Sequence, residues 1–189
     1  MQGFPAQEKG TVRGLITFRN FELSTPRAQD IDWILSNPSA ISPASYRALI
    51  EELTQLCTPR VLSVSNQVIL AARSELAKRL TGDAATTRII NYGALGSGST
   101  AVNDADTVLD TEVARVLVAT ATQTDDEAAI DFYFSKSSTN GTYEEFGTFI
   151  DGTGSADSGL LFNRALTGGW TKSSLEAMTV SVQLTFSAA

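Results

Sequence analysis

The strictest constraint on the fold lies near the C-terminal end, in AMTVSVQLTFS (residues 177–187). Met178, Val180, Val182, Leu184 and Phe186 alternate with Thr179, Ser181, Gln183, Thr185 and Ser187. A side-chain period of two fits an extended strand with one buried face and one outward face, here rich in hydroxyls. From Arg88 onward five earlier runs share this texture: RIINYGAL, VARVLVATAT, AIDFYFSKS, YEEFGTFI and GLLFNRAL, each bounded by Gly, Asn, Asp or Ser. Short strands joined by small polar residues predict a mainly β fold, an antiparallel β-sandwich. Asn140–Gly141 predicts a tight hairpin turn between two of them. Asn140-Gly141-Thr142 also matches a glycosylation sequon, and with no secretion signal in view it reads as turn chemistry.

The N-terminal third has a different texture. TVRGLITFRNFEL alternates around Leu15 to Phe21 and predicts a short strand. Two helices come next, each opened by a hydroxyl N-cap and a proline (Thr25–Pro26, Ser42–Pro43) and each stopped before another proline, Pro38 or Pro59. In the second, Tyr46, Leu49, Ile50, Leu53 and Leu56 form one apolar stripe opposite Arg47, Glu51, Glu52 and Gln55, the pattern of a core-facing helix. RVLSVSNQVILAARSELAKRLTGD begins as a strand and ends as a helix. Its helical part carries Ile69, Ala72, Leu76 and Leu80, has Lys78 and Arg79 in the last turn, and has Gly82 as C-cap. The expected organisation is an N-terminal helical attachment segment, 1–60, preceding a β-sandwich domain, 61–189, that a helix opens. Trp33, Ile34, Tyr46 and Leu53 are the candidate packing anchors of the attachment segment.

NYGALGSGST (91–100) comes within one residue of a P-loop, but Ser99 stands where the phosphate-binding lysine belongs. The nearest cations are Arg88 upstream and Arg115 downstream, and the segment after the glycines is acidic and not helical. Gly93, Gly96 and Gly98 give G-x-x-G-x-G, which is not the dinucleotide-binding order either. The glycines read as a turn after a strand. Fourteen Lys and Arg against 21 Asp and Glu leave a net charge of −7, which argues against nucleic acid or an anionic membrane as partner. No apolar run has the length of a membrane span, and MQGFPAQEKG has no h-region, so neither a span nor a signal peptide is expected.

The chain has no histidine, which removes the commonest general base and transition-metal ligand. Its single cysteine, Cys57, lies in an apolar helical pattern and reads as packing. Asp104 with Asp106, and Asp125, Asp126 with Glu127, are carboxylate groups that glycosidase or hard-cation chemistry could use, yet they read as solvated turns. DGTGSAD (151–157) offers Asp151, Thr153, Ser155 and Asp157 at alternate positions. It is the one calcium candidate, although Phe162 stands where an EF-hand carries its bidentate Glu. Trp170 and Tyr133 are candidate sugar-stacking rings. No nucleophile, base and oxyanion hole assemble, and the expectation is a non-enzymatic protein without cofactor or metal.

VILAARSELAKRLTG followed by INYGALGSGSTAVNDADTVLDTEVAR resembles a β-domain family found in structural proteins of tailed bacteriophages. The matching pieces are Leu80 and Gly82, then Ile90 to Thr100, then Asp106, Thr107, Leu109, Glu112, Val113 and Arg115. EEFGTFI, the S-G-x-L-F-x-R run in DSGLLFNRAL and the final LTFS are similar to the later part of that family's domain. The resemblance covers about Val68 to Ser187. It implies a β-sandwich in tail fibres, baseplates, neck appendages or head decorations, and no shared enzymatic activity or cofactor. The expected function is therefore assembly in the virion, made in the host cytoplasm, with other virion proteins as partners. A homo-oligomer is expected, a trimer before a ring. A head decoration protein, and a host-surface receptor binder recognising a glycan, remain the alternatives.

Overall fold

Alternation of side chains governs the architecture, but the sheets it builds have no open edges. The computed structural model describes residues 11–37, 41–83, 87 and 89–187. The chain runs β1 (Thr11–Glu22), α1 (Pro26–Leu35), α2 (Pro43–Leu56), β2 (Arg60–Val68), α3 (Leu70–Thr81), β3 (Ile90–Gly96), β4 (Glu112–Thr124), β5 (Glu127–Phe134), β6 (Gly141–Ile150), β7 (Leu160–Lys172) and β8 (Glu176–Ser187). The eight strands close into an antiparallel barrel in the order β1-β2-β7-β6-β3-β4-β5-β8.

This corrects the expected antiparallel β-sandwich preceded by an N-terminal strand and helices. Two strands belong to both walls. β4 pairs through Glu112–Leu117 with β3 and through Val118–Thr124 with β5. β2 pairs through Arg60–Asn66 with β1 and through Gln67 and Val68 with β7. Irregular register at Leu95/Gly96 and at Val118/Thr120 accompanies the turn of β4 from one wall to the other. Nor does the first strand precede the β domain. β1 is a stave of the barrel, paired with β8 from Thr11↔Ser187 to Glu22↔Glu176, and α1 and α2 are an insertion between β1 and β2.

The Asn140–Gly141 hairpin is a second correction. β5 pairs with β4 and β8, and β6 with β3 and β7, so the segment joining them crosses the barrel instead of turning back. The tight two-residue turn lies at Asp125–Asp126, where Thr124 faces Glu127 and Asp125 adopts φ 51°. Aspartate tolerates this left-handed region better than most residues.

Met178, Val180, Val182 and Leu184 of β8 are buried in the interior as the alternation requires. Phe146 is central: its ring meets Phe18 at 5.7 Å and 86°, and Phe132 at 5.7 Å and 65°. Both are edge-to-face contacts that complement the ring quadrupoles. Phe132 can lie there because β3 carries Gly93, where a Cβ would come within 2.7 Å of the ring.

A second apolar layer forms outside the barrel, where Ile31, Leu35, Tyr46, Leu53 and Cys57 pack over Phe21, Tyr133 and Ala177. The expected caps are in place. Thr25 accepts from the Ala28 amide at 3.2 Å and Ser42 from the Ser45 amide at 3.1 Å, each ahead of a proline in the first turn. Pro38 and Arg88 lie outside the described residues. Gly82 caps α3 at φ 79°, with the amide of Asp83 bonded to Lys78 O. The α3 stripe holds at Ile69 and Ala72, but Leu80 is 90% exposed.

Gly93→Ala is expected to destabilise the fold by about 1–3 kcal/mol through overpacking against Phe132. In urea denaturation, Phe132→Leu should recover part of that loss in the double variant. Additive losses from the two changes would show that the ring does not set the requirement for glycine.

Candidate functional site

The glycine loop does hold an anion, and the anion is internal. Glu145 of β6 is fully buried. Its Oε1 accepts from the amides of Gly98 (3.2 Å) and Thr111 (2.9 Å), and its Oε2 from the amide of Asp110 (3.1 Å) and from Arg164 Nε (2.7 Å). Arg164 reaches on to Asp106 at 2.7 Å and to the carbonyl and hydroxyl of Thr100, both at 3.2 Å. A Cβ at Gly96 would lie 2.4 Å from Glu145 Oε1, and one at Gly98 2.6 Å from the same atom. The glycines therefore let a carboxylate approach the backbone closely.

The calcium candidate is organised by a cation that the chain supplies. Arg115 is clamped by Glu112 at 2.6 and 2.7 Å. Its Nη1 donates to Thr153 O (2.9 Å), Ser158 Oγ (2.8 Å) and Ser158 O (3.2 Å). Glu112 accepts in turn from the Asp157 amide at 3.0 Å, and Asp151 accepts from the amide of Thr87 at 2.9 Å and from its hydroxyl. Among the described residues no three His, Cys, Asp or Glu side chains gather as a metal would need.

The remaining candidates disperse. Asp104 pairs with Arg73 at 2.6 Å while Asp106 serves Arg164, so the two carboxylates of that loop do not act together. Asp125 and Asp126 form the β4–β5 turn, and Glu127 accepts from Gln183. Trp170 is buried, donates to Asn20 Oδ1 at 2.9 Å, and has the Arg60 guanidinium 4.0 Å from its ring. Tyr133 is buried with its hydroxyl on Asp32 Oδ1 at 2.8 Å. Neither ring is an open stacking platform. Cys57 is buried, and that burial pushes its thiol up.

A buried lysine escaped the sequence reading. Lys172 closes β7 with only 2% exposure, donating to Asn140 Oδ1 at 2.7 Å. Burial lowers its ammonium to about 8, against opposing pulls from Asp32 and Glu176. In sequence it is one more polar residue in TGGWTKSS.

With the motif residues engaged inside, the outer surface carries the remaining possibilities. A groove of about 550 Å³ runs between the end of α1 and the outer side of β3 and β4, lined by Asn37, Ile89, Ile90, Val116, Leu117 and Tyr133. Ile89 is 65% and Leu117 52% exposed. Trp33, in the last turn of α1, is 74% exposed. Among the described residues, those lining the groove are all uncharged. Comparison with protein-family models, curated protein sequences and solved structures finds no match in any of the three.

Replacing Glu145 with Gln leaves Arg164 without one buried partner and should cost about 3–5 kcal/mol. Hydrogen exchange of the Gly98, Asp110 and Thr111 amides should accelerate beyond the global change. Unchanged protection of those three amides would remove Glu145 as the organiser of the loop.

Lys172 gives a pH signature. Its folded value of about 8 lies below an unfolded lysine near about 10.4, so the unfolded chain holds more protons between them and stability rises with pH across that window. The stability of the wild type relative to Lys172→Met should increase from about pH 8 to about pH 10. A constant difference would show that Lys172 titrates normally.

Proposed function

We propose that the protein is a non-enzymatic structural protein of a tailed-bacteriophage virion, a tail fibre, baseplate or neck component acting through subunit assembly. The resemblance in residues 68–187 supports the virion setting. The observation that carries the reading is how its motif is used. Gly96, Gly98, Thr100, Asp106, Glu112, Arg115, Ser158 and Arg164 belong to two internal networks that fasten loops to the barrel. A motif spent on holding shape suits a scaffold whose product is its surface.

The surface that suits assembly is the groove beside α1. Exposed apolar groups rimmed by polar ones mark interaction sites. An acidic chain of net charge −7 resists self-association, but the described residues of the groove bring no like charges to oppose and no ions to desolvate when copies meet. The partner proposed for it is a second copy of the chain, as in a trimer.

Light scattering coupled to size exclusion tests this. The wild type should run as a trimer, and Leu117→Lys with Ile89→Lys should return it to monomer mass with an unchanged circular-dichroism spectrum. A wild-type monomer up to high concentration, or an oligomer indifferent to both lysines, would overturn assembly through this face.

A further inference from the structure

A second site lies under α2 and shares no lining residue with the groove. The outer faces of β1, β8 and β5 bring Arg19 opposite Thr179, Thr179 opposite Tyr133, and Ser181 opposite Asp131. α2 crosses above them with Tyr46, Arg47, Ile50 and Glu51, leaving a cavity of about 220 Å³. Its polar groups are incompletely used. Tyr46 and Thr179 are each 2% exposed, and their hydroxyl oxygens have no hydrogen-bond partner. Each such buried hydroxyl is an unfavourable feature unless something occupies the space beside it.

The cations are also under-used. Arg19 reaches Ser181 Oγ at 3.4 Å and Arg47 reaches the carbonyl of Pro43 at 3.4 Å, both long contacts. Neither makes an ion pair among the described residues. Two guanidinium forks and two unsatisfied hydroxyls thus line one space.

We infer that this pocket binds a compact carboxylate, held between the guanidinium groups of Arg19 and Arg47 and hydrogen-bonded by the Tyr46 and Thr179 hydroxyls. The fork geometry of arginine matches the two oxygens of a carboxylate. A phosphate would fit the same cations but carries more charge, and Asp131 and Glu51 in the same wall oppose each added unit. Asp131 supports the assignment. Burial raises its carboxyl above the usual range, with Ser181, Arg19 and Arg47 opposing, so it is readier than an ordinary aspartate to take up a proton beside a second carboxyl group. The carboxylate has two possible sources, a free small acid or an acidic side chain of a neighbouring chain.

The probe is sodium acetate, titrated into ¹⁵N-labelled full-length protein at constant ionic strength. Amide shifts around Arg47, Ile50, Asp131 and Ser181 should follow one saturating curve. Arg47→Met should weaken binding roughly tenfold, the loss of a charge-assisted bond. Tyr46→Phe, which keeps the buried ring, should weaken it less, and Arg13→Met, an exposed arginine on β1 outside the pocket, should not change it. Shifts that rise linearly, that persist in Arg47→Met, or that saturate earlier with sodium phosphate than with acetate would overturn the proposal. Solution mass under saturating acetate separates the sources. A fall in mass identifies a neighbouring chain as the donor, and an unchanged mass with saturating shifts identifies a free acid. Both readings are taken on the Leu117→Lys, Ile89→Lys variant, where assembly through the groove beside α1 cannot hold the mass constant.

Discussion

The Glu145–Arg164 pair is the interaction on which most of this structure rests. Taking both charges out of water costs several kcal/mol per ion, and their attraction offsets this only if the remaining lone pairs and protons are also satisfied. Here they are. Three loop amides complete the carboxylate, while Asp106 and Thr100 complete the guanidinium. The consequence reaches beyond electrostatics. With residues 97–111 pinned over β6, Leu109 packs against Gly147, where a Cβ would come within 2.9 Å of it. β6 is thereby covered on both faces from Glu145 to Ile150. Arg115 and Glu112 repeat the device on residues 151–159.

This explains why the loop imitates a phosphate cradle. A backbone that surrounds an oxyanion needs glycines at close-approach positions whether the oxyanion is a nucleotide or a glutamate. The lysine is absent from position 99 because the counter-charge comes from Arg164, remote in sequence and adjacent only after β7 pairs with β6. Local spacing could exclude the nucleotide; it could not name Glu145.

The same limit set how much of the fold was legible in the sequence. Strand identity was legible because it is local: among the described residues the six C-terminal runs overlap β3, β4, β5, β6, β7 and β8 in turn, and the Thr25 and Ser42 caps fall at their helices. Closure was not. Sandwich and barrel share the inside-outside alternation, and they differ here in β2 and β4 each pairing on both sides, with two residues, Gln67 and Val68, sealing one seam. Asn140–Gly141 misled for a related reason. Its chemistry permits a hairpin, but β5 and β6 each take partners that keep them apart, and the side chain of Asn140 instead receives Lys172. Trp170 and Tyr133 stand out in the sequence as special aromatics, although their polar tips are spent on Asn20 and Asp32 inside the molecule.

What the polar networks consume inside, they withhold from the surface, and this directs attention to the helical insertion. α1 and α2 cover only part of the wall formed by β1, β8, β5 and β4, and each incomplete edge leaves a concavity of different chemistry. At the end of α1 the neighbours are Ile89, Ile90 and Leu117, and the described lining of the groove is mainly apolar, with no charged residue. Under α2 the neighbours are Arg19, Asp131 and Ser181, and the pocket is charged and hydroxyl-lined. Tyr133 separates them. Its ring borders the groove, its hydroxyl holds Asp32 of α1, and it stands opposite Thr179 of the pocket. The insertion between β1 and β2 thus leaves an otherwise self-contained barrel with two concavities of contrasting chemistry.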